Sequence, residues 1–127
     1  MLRASWTLLL AVGCSQPEPP PDLVIVTVDT LRADRLGAYG HAAAQTPNVD
    51  ALAARGVRFD QATTTFPRTT PALASLLTGL EPSRHGSREV GQPMTAGVSL
   101  AELLGARGYG TVAVSATRVA SAKQGLA

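Results

Sequence analysis

The chain has 127 residues and a formal net charge of +2, with 45% hydrophobic and 16% charged residues. That length suits one ordinary domain, and the balance of apolar and charged residues excludes a disordered chain. The ten arginines and one lysine are scattered rather than gathered into a stripe, and aromatics are 4% of residues, which argues against a nucleic-acid partner. The single cysteine excludes an internal disulfide.

The chain begins MLRASWTLLLAVGC, a basic residue at Arg3, a short apolar run and small residues before Cys14. This pattern predicts a secretory signal over residues 1–13, too short to cross a membrane. The small residues leading into Cys14 resemble the lipobox of bacterial lipoproteins. That resemblance implies cleavage before Cys14, a diacylglyceryl thioether on its sulfur, and an exported protein anchored on the periplasmic or cell-surface side. The other reading is an ordinary signal with an incidental cysteine. Residues 15–22 carry four prolines in SQPEPPPD and read as a semi-rigid tether, so that 14–22 form the lipidated Cys and tether and 23–127 the domain.

Residues 23–28, LVIVTV, are β-branched and apolar on both faces, as in a buried central strand of a parallel sheet. Asp29 follows at its carboxyl end, where ligands gather in open α/β sheets. Its carboxylate reads either as a hard-metal ligand or as a turn-starting residue. TLRADRLGAYG then reads as a polar loop in which Arg32, Asp34 and Arg35 form local ion pairs. Thr46-Pro47 opens a helix with Val49, Leu52 and Ala53 on its apolar face and Gly56 at its end. Residues 57–59 predict a short strand, and 60–67 a threonine-rich loop.

The stretch RTTPALASLLTG, residues 68–79, is the centre of the chain. Pro71 suits the first helical position, and Thr69 or Thr70 can cap the helix. Leu73, Leu76, Leu77 and Leu80 fall on one stripe, and Gly79 ends the helix. A hydroxyl is thereby held at a helix start, where free N–H groups and the dipole favour anions. Either it only caps, or it is a nucleophile for a sulfate or phosphate ester. Residues 80–91 read as a loop, and its lone His85 as a structural or solvated histidine with a catalytic role as the lesser reading. Ser99 and Glu102 form a capping box ahead of Leu100, Leu103 and Leu104. Residues 111–114 predict a second strand, and the order strand, helix, helix, helix, strand predicts a right-handed parallel crossover. Residues 116–127 read as a further loop and the beginning of a helix.

The pieces VTVDTLRADRLGAYG, TPNVDALAARGVRF, TTPALASLLTGLEPSRHG and SLAELLGARGYGTVAVSA, in this order, resemble the N-terminal part of the sulfatase family in the alkaline phosphatase superfamily. The resemblance runs from about Leu23 to the last residue. It implies an α/β three-layer sandwich with a mostly parallel central sheet, of which this is the N-terminal portion. It also implies hydrolysis or transfer of sulfate or phosphate esters at a divalent metal, with Ca, Mg, Mn and Zn all occurring in the superfamily.

Carried over residue by residue, Asp29 stands at the first metal carboxylate. The next position, often a second Asp, is Thr30. The nucleophile pattern is Cys or Ser, any residue, Pro, Ser or Ala, Arg, then Leu, any residue, Thr, Gly. Counting back from Thr78-Gly79 through Pro71 puts Thr69 at its first position, as nucleophile and metal ligand. A threonine cannot become the formylglycine aldehyde of sulfatases proper, and the following Arg is Leu73. Thr69 therefore either acts directly through its oxygen, as in phosphodiesterase and phosphotransferase relatives, or belongs to a catalytically silent surface lipoprotein with a binding or structural role. A third reading is a small complete domain in which the threonines only cap.

Sulfatase-like domains need several hundred residues, and a hard cation takes about six ligands. The expectation is a fragment, a truncated reading frame or the first piece of a split gene, inactive by itself.

Overall fold

The computed structural model describes residues 19–126, so the signal, Cys14 and the first part of the tether lie outside the described residues. Among the described residues four α-helices follow in order: α1 Pro47–Arg55, α2 Thr69–Thr78, α3 Pro82–His85 and α4 Leu100–Gly105. Short 3-10 turns occupy Ala33–Arg35, Gly37–Tyr39 and Ala122–Gln124. The last of these is what the chain forms where a further helix was expected to begin.

Among the described residues no β-strand forms. The three stretches expected as strands run without ladder partners. Val24 and Val26 are each 80% exposed, and Val112 and Val114 are above 90%. β-branched side chains favour extended backbone locally, but a strand exists only when a neighbour pairs with its N–H and C=O groups. The described residues supply no such neighbour, so neither the sheet nor the parallel crossover is formed within them.

The buried interior is consequently small and polar. It gathers Thr70, Pro71, Ala74 and Ser75 of α2 with Pro82 and His85 of α3, Ser87, Ser99, Gln124 and Leu126. α2 packs on α3 and α4. This corrects the leucine stripe: Leu76 is exposed, and Leu73, Leu77 and Leu80 are only half-buried, while the small-residue face of α2 turns inward. Small residues let the neighbouring turn approach α2 closely, and the leucines are left for a surface that the described residues do not provide. The apolar face of α1 is likewise open, with Val49 and Leu52 exposed.

The helix starts also differ from expectation. Pro71 is the third residue of α2, not the first, and neither threonine caps it: Arg68 is the N-cap residue, with no side-chain cap bond. The proline is tolerated because the first four N–H groups of a helix lack an intrahelical partner anyway. At α1, Thr46 is the N-cap residue without capping through its hydroxyl. That hydroxyl accepts from Gly37 N–H at 3.0 Å and donates to the Asp50 carboxylate, which also accepts from Ala38 N–H at 2.6 Å. A Cβ on Gly37 would lie 2.4 Å from Asp50 Oδ2, so any larger residue would force the Asp50 carboxylate out of these bonds. The Ser99 capping box forms as expected, with Glu102 N–H donating to Ser99 Oγ at 3.2 Å and Ser99 N–H to Glu102 Oε2 at 2.7 Å. That contact holds the Glu102 carboxyl below its usual range. In the polar loop, Arg32 and Asp34 pair in a two-point contact, which lowers the Asp34 carboxyl; among the described residues Arg35 makes no ion pair.

Candidate functional site

Thr69 opens α2, and Asp29 ends the extended run 40 residues earlier. The two meet. Thr69 Oγ1 lies 3.0 Å from Asp29 Oδ2 and 3.2 Å from Oδ1, so the hydroxyl donates to the carboxylate. They share an open cleft of about 180 Å³, with residues 27–30 on one side and Thr69, Ala72 and Leu73 on the other. Leu73 forms an apolar wall at the position where the family's pattern carries Arg.

Thr70 is what fixes α2 in this place. Its hydroxyl is fully buried, donates to Val119 C=O at 2.8 Å and accepts from Gly91 N–H at 2.7 Å. One side chain thus ties the start of α2 to two distant loops and leaves Thr69 on the cleft side. Arg68, on the other flank, pairs with Glu89 at the surface. Helix-start reasoning left Thr69 and Thr70 as interchangeable caps, and only the resemblance to the family pattern set Thr69 apart. Helical propensity and capping rules do not separate a threonine that points into a core from one that points into a cleft.

His85 is buried and does not line the cleft. Its Nδ1 accepts from Ser87 N–H at 3.2 Å, which puts the proton of the neutral ring on Nε2, 3.0 Å from Ser75 Oγ. Burial pushes its pKa below the ordinary 6.5. It is a neutral, hydrogen-bonded core histidine that pins α3 to α2, in keeping with the structural reading of its sequence position.

Asp29 and Thr69 offer a carboxylate and a hydroxyl oxygen, the donor chemistry of a hard divalent cation. Among the described residues, however, no three His, Cys, Asp or Glu side chains come together. The pair fits such an ion in kind and gives it two donors.

An anion-favouring helix start, a hydroxyl on a carboxylate and extended β-branched runs are compatible with an α/β ester hydrolase. The chain belongs to the sulfatase family, whose model matches residues 21–124. It is 40% identical to the arylsulfatase A of Bos taurus over 117 residues, covering 85% of this chain and 23% of that protein. It is 41% identical to the Homo sapiens arylsulfatase A over 113 residues (83% and 22%), and 36% identical to the steryl-sulfatase of Rattus norvegicus over 95 residues (68% and 16%). The chain therefore spans less than a quarter of the length of these curated relatives. No solved structure matches it significantly.

Proposed function

We propose that this chain carries the nucleophile of a sulfate-ester hydrolase, with phosphate esters as the related substrate class, and that Thr69 Oγ is the attacking atom. The observation that carries the reading is the Thr69–Asp29 hydrogen bond inside the cleft. Asp29 takes the hydroxyl proton as Thr69 Oγ bonds to the sulfur (or phosphorus) of the ester. The bond to the alcohol oxygen breaks, and the departing oxygen takes a proton from solvent water. Water then hydrolyses the ester formed on Thr69 and frees sulfate or phosphate. The N–H groups at the start of α2 face the negative charge that develops on the transferred group. A divalent cation belongs to this reading, with Asp29 and Thr69 among its oxygen donors; when bound it would offset that same charge. The sheet implied by the resemblance would be completed by the rest of a sulfatase domain, around residues 23–28 and 111–114. The protein is exported and anchored through a lipid on Cys14.

The test is turnover of an aryl sulfate and an aryl phosphodiester by the full-length protein with added divalent cation. Thr69→Ala should lower turnover on the order of 10³-fold or more, because it removes the covalent route. Wild type quenched during turnover should carry one sulfuryl or phosphoryl group on Thr69. Retained turnover in Thr69→Ala would overturn the reading. Leu73, an apolar residue where the pattern has a cation, favours a second reading, a catalytically silent surface lipoprotein. Absence of turnover in wild type with either ester would support it.

A further inference from the structure

Thr30 is the one non-glycine residue with positive φ among the described residues, at +56°. A β-branched side chain in the left-handed region crowds its own backbone and is rare there. Such strain persists only where the surrounding structure enforces it, and it concentrates at functional positions. Here it falls directly after Asp29. The Thr30 hydroxyl donates to the Asp29 carbonyl at 2.8 Å, and Thr30 lines the same cleft as Thr69.

We propose that Thr30 is the positioning residue that aims Asp29 at Thr69. Residues 23–28 run without helix or turn, and the chain turns at Asp29 and Thr30. The left-handed residue turns the backbone sharply just beyond Asp29. The carboxylate then stays opposite Thr69 while the chain departs toward Arg32. The hydroxyl clamp on the Asp29 carbonyl fixes the peptide unit that joins the two residues. Neither device supplies an atom to the reaction; both restrict the orientation of the group that accepts the Thr69 proton. As a statement about catalysis the inference rests on the proposed reaction, whereas the coupling of Asp29 to Thr69 through Thr30 does not.

The experiment uses the full-length protein with Thr30→Gly and Thr30→Asn. Glycine takes φ of +56° without strain but lacks the clamp. Thr30→Gly should leave the thermal midpoint unchanged or raised, while lowering kcat about tenfold or more with KM little changed. Thr30→Asn, which tolerates the left-handed region and can hydrogen-bond locally, should recover most of the lost kcat. A merely structural Thr30 would give the opposite pattern, a lowered midpoint with kcat intact, and that result would overturn the proposal. A second readout needs no activity. The midpoint shifts of Asp29→Asn and Thr69→Val should be non-additive in wild type and additive in the Thr30→Gly background. If wild type hydrolyses neither ester, the proposed reaction falls and this coupling alone decides the positioning; additivity in wild type would then overturn it as well.

Discussion

Thr69 and Thr70 are adjacent and chemically identical, yet the fold puts them to different uses. Thr70 is fully buried with both hydrogen-bonding roles of its hydroxyl filled, whereas the half-buried Thr69 hydroxyl meets only Asp29 among the described residues. Replacing Thr70 by valine keeps the shape but removes both hydrogen bonds of a fully buried hydroxyl, to the half-buried Val119 carbonyl and Gly91 N–H, each loss costing about 1 kcal/mol. The same replacement at Thr69 breaks a bond to a carboxylate that can turn to water, and it removes no helix cap. Thr70→Val should therefore destabilise by about 2 kcal/mol or more, and Thr69→Val by less than about 1 kcal/mol. Equilibrium unfolding in urea measures both, and a larger loss at Thr69 would show that its hydroxyl is structural. Expectation and structure parted here because a cap needs the hydroxyl to fold back on its own helix. In this chain the Val119 carbonyl and the Asp29 carboxylate, both distant in sequence, compete for it and win.

At the scale of elements, the local signals were the legible ones. The capping box at Ser99 and the stop at Gly79 depend on residues within a few positions, and both appear as read. Helix α3 was missed inside an expected loop. It is four residues long, and what stabilises it is the burial of His85 against α2, a contact that no periodicity reports. That burial has a consequence for pH. Because the folded chain disfavours the imidazolium, its His85 pKa lies below the unfolded 6.5. Above 6.5 both states hold neutral histidine and the stabilisation is complete. Below 6.5 the unfolded chain takes up a proton that the folded chain refuses, so stability falls with pH until the folded-state value is passed. The slope is at most about 1.4 kcal/mol per pH unit for one group. The lowered carboxyls Asp34 and Glu102 start from 3.8 and 4.5 and act mainly in more acid solution, so among the groups with a shifted pKa His85 dominates the window between pH 7 and 5. Unfolding midpoints across that window should decline in wild type and flatten in His85→Gln; an equal slope in the two would remove His85 as the cause.

The whole molecule joins a small polar interior to apolar segments that lie in water. Residues 23–28 are apolar on both faces, and Val112 is 93% exposed. Unpaired runs of this kind invite edge-to-edge association. A sequence stretch can declare that it is suited to a sheet, but it cannot supply the sheet, which is why the family was legible while the strands read at 23–28, 57–59 and 111–114 do not form among the described residues. The relatives are more than four times as long as the matched segment, which leaves ample chain to cover these runs in a domain of their size. Val112→Asp discriminates between the two possibilities. At a position solvated as it is among the described residues, a carboxylate in place of valine changes stability by within about 0.5 kcal/mol. In a buried central strand the same change places an unpaired charge in an apolar layer and costs several kcal/mol. In the full-length protein, Val112→Asp should destabilise by about 3 kcal/mol or more, with residues 111–114 strongly protected from amide hydrogen exchange. A cost below about 0.5 kcal/mol together with rapid exchange would mean that this segment is a solvated loop and that no sheet forms there.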